Sequence, residues 1–128
     1  MATNLNPLHV DRTNLRQWPL DATEGLIRRR RLYQEIFRTT PIQRQGELWQ
    51  RISNYLYNDF RLNVTPTQCR TKWNSLVSGY ENLKRLLNDN PEGFRTHTPS
   101  VYDQRFHNEL SDEFWYIVGN YLINQYFI

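Results

Sequence analysis

The segment TPTQCRTKWNSLVSGYENLKRLL, residues 65–87, carries Thr67, Arg70, Thr71, Asn74, Ser75 and Ser78 with no acidic residue from Thr67 to Ser78. These types suit one kind of chemistry. A guanidinium donates two parallel hydrogen bonds to a guanine edge, and a carboxamide both donates to and accepts from adenine. Short hydroxyls let a helix come close to a phosphate or a base. Steps of about 100° per residue gather the six on one side of a helix, apart from Cys69, Trp73, Leu76 and Tyr80. Lys72, in the same stretch, adds a second cation able to meet phosphate. A surface helix laced with Glu and Lys pairs would read differently. A solvated face with no partner could carry the same residues, and their types alone do not choose.

No other constellation competes. His9, His97 and His107 are far apart, and the chain has neither a glycine-rich phosphate loop nor a nucleophile elbow. The acids are scattered among basic neighbours, without a pair set apart as acid and base. The single cysteine, Cys69, excludes an intrachain disulfide, and no Cys/His cluster has metal spacing. Cys69 falls on the apolar stripe, where a small buried hydrophobe is expected rather than a nucleophile. The expectation is a protein that is not an enzyme and uses no cofactor, metal or small-molecule substrate. No apolar run looks like a signal peptide or reaches the length of a membrane span.

Charge points the same way as the helix face. Residues 1–88 hold 14 Lys and Arg against 7 Asp and Glu, whereas residues 89–128 hold 2 against 6. A front carrying +7 and a back carrying −4 suggest a polyanionic partner for the front alone, although chance clustering would give the same counts. The run Arg28-Arg29-Arg30-Arg31 adds to this front. Inside a helix its four side chains point around most of the circumference, so some stems must lie along the core edge. Direct contact with nucleic acid and a solvated structural role stay open for it.

The elements that would position these residues are helices. Asp21 and Glu24 have capping-box spacing. Beyond them Leu26, Tyr33, Ile36 and Phe37, widened by Ile27 and Leu32, predict a first helix over about 22–38, ended before Pro41. Leu48, Trp49, Ile52, Tyr55 and Leu56 predict a second over about 44–58. Thr65, Pro66 and Gln68 open the third as N-cap, first helical residue and closing member of a capping box. Cys69, Trp73, Leu76, Tyr80, Leu83 and Leu87 then run down it to about Asn88. After a loop over 89–100, FWYIVGNYLINQYFI predicts a last helix over about 111–126 that is apolar on more than one side.

The segment from Trp18 to about Leu87 resembles the Myb/SANT-like domain of trihelix (GT-type) transcription factors. The residues that carry the likeness are a Trp ahead of the first helix, LIRRRRLYQEIF, LWQRISNYL and TPTQCRTKWNSLVSGYENLK. The last is the specific element. By this resemblance Trp18, Trp49 and Trp73 are the three core tryptophans, at a spacing that favours the trihelix or related MADF-like branch over ordinary Myb repeats. RTKWNS at 70–75 is similar to the recognition helix of Myb repeats, which implies base-facing positions at Arg70, Thr71, Asn74 and Ser75.

The expected architecture is all-α. An N-terminal arm (1–19) leads into a three-helix, helix-turn-helix bundle (20–88), followed by a loop and an amphipathic C-terminal helix (89–128). The expected activity is sequence-selective binding of double-stranded DNA in the nucleus, in transcription or chromatin. The alternative is a SANT-type module that binds chromatin proteins; such modules tend to carry acidic or bulky residues on the third helix, which this one lacks. The resemblance also implies a further helix after the bundle. Its unusually apolar form here suggests docking on the bundle or a homodimer contact through Trp115, Ile123, Tyr126 and Phe127.

Overall fold

A computed structural model describes residues 18–89 and 101–116, with side chains from Arg105 onward in the second stretch. Every regular element among the described residues is a helix: α1 (Leu20–Leu32), α2 (Gln34–Thr39), a 3-10 turn (Ile42–Arg44), α3 (Gly46–Phe60), α4 (Pro66–Asp89) and α5 (Val101–Leu110). The all-α expectation holds. The chain divides into two compact units, one ending at Thr71 and the other starting at Lys72, so the division falls inside α4.

In the first unit the expected single helix over 22–38 is two. Tyr33 leaves helical geometry at φ −91°, ψ 7°, and α2 restarts after it. The break lets Phe37 turn inward, where its ring lies 4.9 Å from that of Trp49. It also turns Leu32 (66% exposed) and Ile36 (40%) outward, so these two do not belong to the core stripe. The expected capping box at Asp21 and Glu24 does not form either. The helix starts earlier, after Pro19, and no side chain caps it. The backbone N–H of Thr23 donates to the carbonyl of Pro19 at 3.0 Å and its hydroxyl donates to the same oxygen at 2.9 Å. Asp21, now inside the first turn, accepts from the N–H of Ala22 at 2.7 Å and opposes the positive end of the helix dipole.

Helices α1 and α3 pack closely because Gly25 has no side chain. A Cβ built there would stand 2.5 Å from Phe60 Cε2 and 3.3 Å from Tyr55 Cε2. Ala22, Leu26 and Ile27 from α1, with Leu48, Trp49, Ile52 and Leu56 from α3, are buried. Trp18 is buried as well, as the resemblance implied. The carboxamide of Gln45 ties the α2–α3 connection by donating to the carbonyls of Phe37 (3.2 Å) and Thr40 (3.0 Å).

α3 runs two residues beyond the expected end and stops at Arg61, which adopts the left-handed conformation (φ 55°). The N–H of Leu62 reaches back to the carbonyl of Leu56 at 3.3 Å. Leu62 and Val64 then bury their side chains, and the Ser53 hydroxyl donates to the Val64 carbonyl at 2.5 Å. This short strap delivers the chain to Thr65. There the expected capping box is present: the Thr65 N–H donates to Gln68 Oε1 at 2.8 Å, and the Gln68 N–H to Thr65 Oγ1 at 3.1 Å. Cys69, one turn in, is fully buried, and burial pushes its thiol up to about 12.

In the second unit the long end of α4 packs against the C-terminal segment. Trp73 lies 5.6 Å from both Phe114 and Trp115, and Trp115 meets Tyr80 edge-on at 5.6 Å. Phe106 and Leu110, one helical turn apart on α5, are buried, and the His107 ring stacks on Tyr80 at 5.1 Å. A helix, α5, stands ahead of the segment for which the sequence predicted one. α5 ends at Leu110, a turn follows, and residues 114–116 are helical, while the rest of the helix expected over about 111–126 lies outside the described residues. Trp115, expected at a homodimer contact, is engaged within its own chain. Ile123, Tyr126 and Phe127, the rest of that contact, lie outside the described residues, as do positions 1–17 of the arm and 90–100 of the loop.

One polar clamp closes this packing. The Tyr80 hydroxyl and the Lys84 ammonium both donate to Glu113 Oε2 at 2.5 Å, and Glu113 holds a left-handed backbone at φ 49°. Lys84 first, then Tyr80, hold the carboxyl of Glu113 below its ordinary value of 4.5. A depressed folded value means that the stabilisation is present above the unfolded value and is lost as pH falls through the folded one. With Lys84 half exposed, Glu113→Gln is expected to destabilise by only about 1 kcal/mol at neutral pH. Urea melts of parent and variant should converge as pH drops below about 4.5; a gap that persists at low pH would show that the charge is not what stabilises.

Candidate nucleic-acid interface

α4 is 24 residues long and uninterrupted. Cys69, Trp73, Leu76, Tyr80 and Leu83 are all buried, with Leu87 half-buried, which makes one continuous buried stripe as expected. Because this stripe is fixed, the rotation of the helix is fixed, and so is what lies opposite. Thr67, Arg70, Thr71, Asn74, Ser75 and Ser78 are all exposed. None of the six makes a side-chain hydrogen bond or ion pair to another described residue. They span roughly 17 Å along the axis at 1.5 Å per residue.

Lys72 is placed differently. It is half-buried and stands with Leu76 and Gly79 beside α5, away from the row's centre. Arg85 was not singled out in the sequence. It is exposed and lies about five helical turns beyond Thr67 on the same line, its Nη1 donating to Asn82 Oδ1 at 3.3 Å. Carrying the 100° count past Ser78 would have found both residues. Lys84, by contrast, is drawn to Glu113.

The arginine run on α1 divides into two kinds. The Arg29 guanidinium lies over the Tyr55 ring at 3.9 Å and that of Arg30 over Phe37 at 4.0 Å. Arg30 also donates to Gln34 Oε1 at 2.5 Å; burial pulls it down to about 10, which leaves it charged at neutral pH. These two are packed stems with cationic heads on aromatic faces. Arg28 and Arg31 stay exposed, Arg28 with Glu24 at 3.6 Å. Arg38 is matched by Glu35, its Nη2 donating to Oε1 at 2.6 Å. Arg44 and Arg51 are exposed, with no partner among the described residues.

Two other kinds of site find no support among the described residues. No group of three His, Cys, Asp or Glu could hold a metal ion, and no helix is long and apolar enough to cross a membrane.

A capped helix exposes an acid-free row of Arg, Asn, Ser and Thr behind a tryptophan-bearing buried stripe, and the family of Myb/SANT-like DNA-binding domains matches residues 15–111. The chain belongs to this family. The Myb/SANT-like match spans α1 to α5. Membership makes DNA the general class of partner for this Myb/SANT-like domain. No curated protein and no solved structure matches the chain.

Proposed function

We propose that the chain reads double-stranded DNA sequence through α4 in the major groove, as a nuclear factor in transcription or chromatin. The observation that carries this reading is the exposed, acid-free row from Thr67 to Ser78 on a helix whose opposite side is buried. The major groove is about 12 Å wide, so the roughly 17 Å row exceeds it slightly and only part of α4 can face bases at once. Arg70 and Asn74, one turn apart, are the base readers, with Thr71 and Ser75 beside them. Thr67 and Ser78 approach the phosphates at the two walls, and Arg85 reaches backbone beyond the groove. Lys72, on the α5 side, adds charge rather than base contact.

The test is a binding comparison across duplexes that differ in sequence. Arg70→Ala and Asn74→Ala should each cost about 1–3 kcal/mol on the preferred duplex and flatten discrimination between sites. Arg85→Ala should weaken all duplexes alike. Fluorescence anisotropy at fixed salt reads both effects. Unchanged selectivity in the Arg70 and Asn74 variants would move the reading surface elsewhere.

A further inference from the structure

A groove of about 520 Å³ runs between the outer side of α3 and the strap that leads to Thr65. It lies wholly within the first unit. Its volume is that of an ordinary ligand site. No residue that lines it is charged, although the front of the chain is strongly basic. A polyanion would find no cation on these walls to replace its counterions.

Four carboxamides stand where charge would be expected. Gln50, Asn54 and Asn58 follow one another at four-residue steps on α3, and Asn63 stands on the strap. All four are exposed. Asparagine carries its amide directly on Cβ, so a lining asparagine brings both a donor and an acceptor with it. Gln50 Nε2 donates to Asn54 Oδ1 at 3.0 Å, which leaves the Gln50 oxygen and the Asn54 amide hydrogens without a described partner. The Asn58 side chain makes no hydrogen bond to another described residue, and Asn63 makes none through side chain or main chain. The strap has the alternation of an extended backbone: Leu62 and Val64 are buried, with Asn63 exposed between them.

We propose that this groove binds an uncharged peptide segment in extended form, held by its main chain. Residues four apart on a helix are separated by about 6 Å along the axis, and alternate residues of an extended chain by about 6.7 Å. Carboxamides at that repeat can donate to a peptide C=O and accept from a peptide N–H on every second residue. On the other wall the main-chain N–H and C=O of Asn63 add hydrogen bonds, as when a peptide joins a strand edge. Gln50 to Asn58 covers about 12 Å, the span of four or five extended residues. No lining charge rewards an acidic or a basic side chain, so the segment that fits is neutral. Tyr57, 38% exposed beside Arg61, offers its ring to one side chain of the segment. This site does not depend on the DNA reading.

The experiment is a ¹⁵N NMR titration of the full chain with three probes. They are an acetylated and amidated pentapeptide of alternating threonine and valine, the same peptide N-methylated at alternate residues, and oligothymidylate. The first should give saturable shifts, of roughly millimolar affinity, at the side-chain amides of Gln50, Asn54 and Asn58 and the main-chain amide of Asn63. N-methylation should weaken binding at least about tenfold, because it removes more than one main-chain donor. Oligothymidylate should give no saturable shift at these signals. Asn54→Ala combined with Asn58→Ala should weaken the pentapeptide by about tenfold while helix content by circular dichroism is retained, alanine being the better helix former. Absence of saturation by the pentapeptide, equal binding of its N-methylated form, saturable shifts by oligothymidylate at the same amides, or unchanged binding in the folded double variant would each overturn the proposal. Should the double variant fail to fold, the three probes on the unaltered chain decide the question.

Discussion

Trp73→Ala should lower the thermal midpoint by roughly 10–20 °C, or leave no cooperative transition at all. The indole is 5% exposed and stands 5.6 Å from two further rings, Phe114 and Trp115. Removing a buried tryptophan forfeits its transfer free energy and leaves a cavity that large rigid neighbours cannot collapse to fill. Such changes cost about 3–5 kcal/mol, against a total of about 5–15 kcal/mol for a small domain. At this chain length each kcal/mol moves the midpoint by several degrees. Trp49→Ala, which strips the ring beside Phe37, belongs to the same class. Circular dichroism melts of both variants check this, and either one melting like the parent would refute the core assignment. Any loss of DNA binding in these variants is indirect, and the melts separate it from the effects of Arg70→Ala.

The second large effect is on salt. A chain that contacts four to six phosphates should show log K falling with log salt at a slope of about −4 to −5. Between 50 and 200 mM salt that is a loss of roughly 250- to 1,000-fold. The cations left exposed make this range reasonable. Arg29 and Arg30 sit on aromatic rings and Lys84 is held by Glu113, but Arg28, Arg31, Arg44, Arg51, Arg70 and Arg85 are all exposed. Anisotropy titrations at several salt concentrations give the slope directly. Affinity that hardly changes over the range would argue against a phosphate-tracking mode of binding.

The parts of this fold that could be read from sequence are those governed by local rules. Thr65, Pro66 and Gln68 satisfy each other within one turn, so the start of α4 was visible, and the apolar period of Cys69, Trp73, Leu76, Tyr80 and Leu83 fixed its rotation. The exposed row follows from that rotation, so the placement of the candidate residues followed from sequence as well, apart from Lys72. What was missed depends on longer-range contacts. The break at Tyr33 is made where Phe37 turns to meet Trp49, twelve residues on, and no local signal announces it. α5 was missed because Phe106 and Leu110 give only a faint period beside the dense aromatic run that begins at Phe114. The clamp that joins Tyr80 and Lys84 to Glu113 spans 33 and 29 residues, a pairing that neither period nor spacing encodes.

The buried thiol at the start of α4 has a consequence for how the chain moves and ages. Thiolate, not thiol, is the reactive form, and Cys69 at about 12 is almost wholly protonated at neutral pH as well as shielded. An electrophile or oxidant can therefore reach the sulfur only in those moments when the first turn of α4 has left its place. The chain carries a built-in clock: the rate at which Cys69 is alkylated counts local openings, without any engineered label. It counts them at the end of the helix that enters the bundle first. Oxidation, and any disulfide crosslinking between chains, is gated by the same opening, so chemical damage at this cysteine records how often the helix start has come undone.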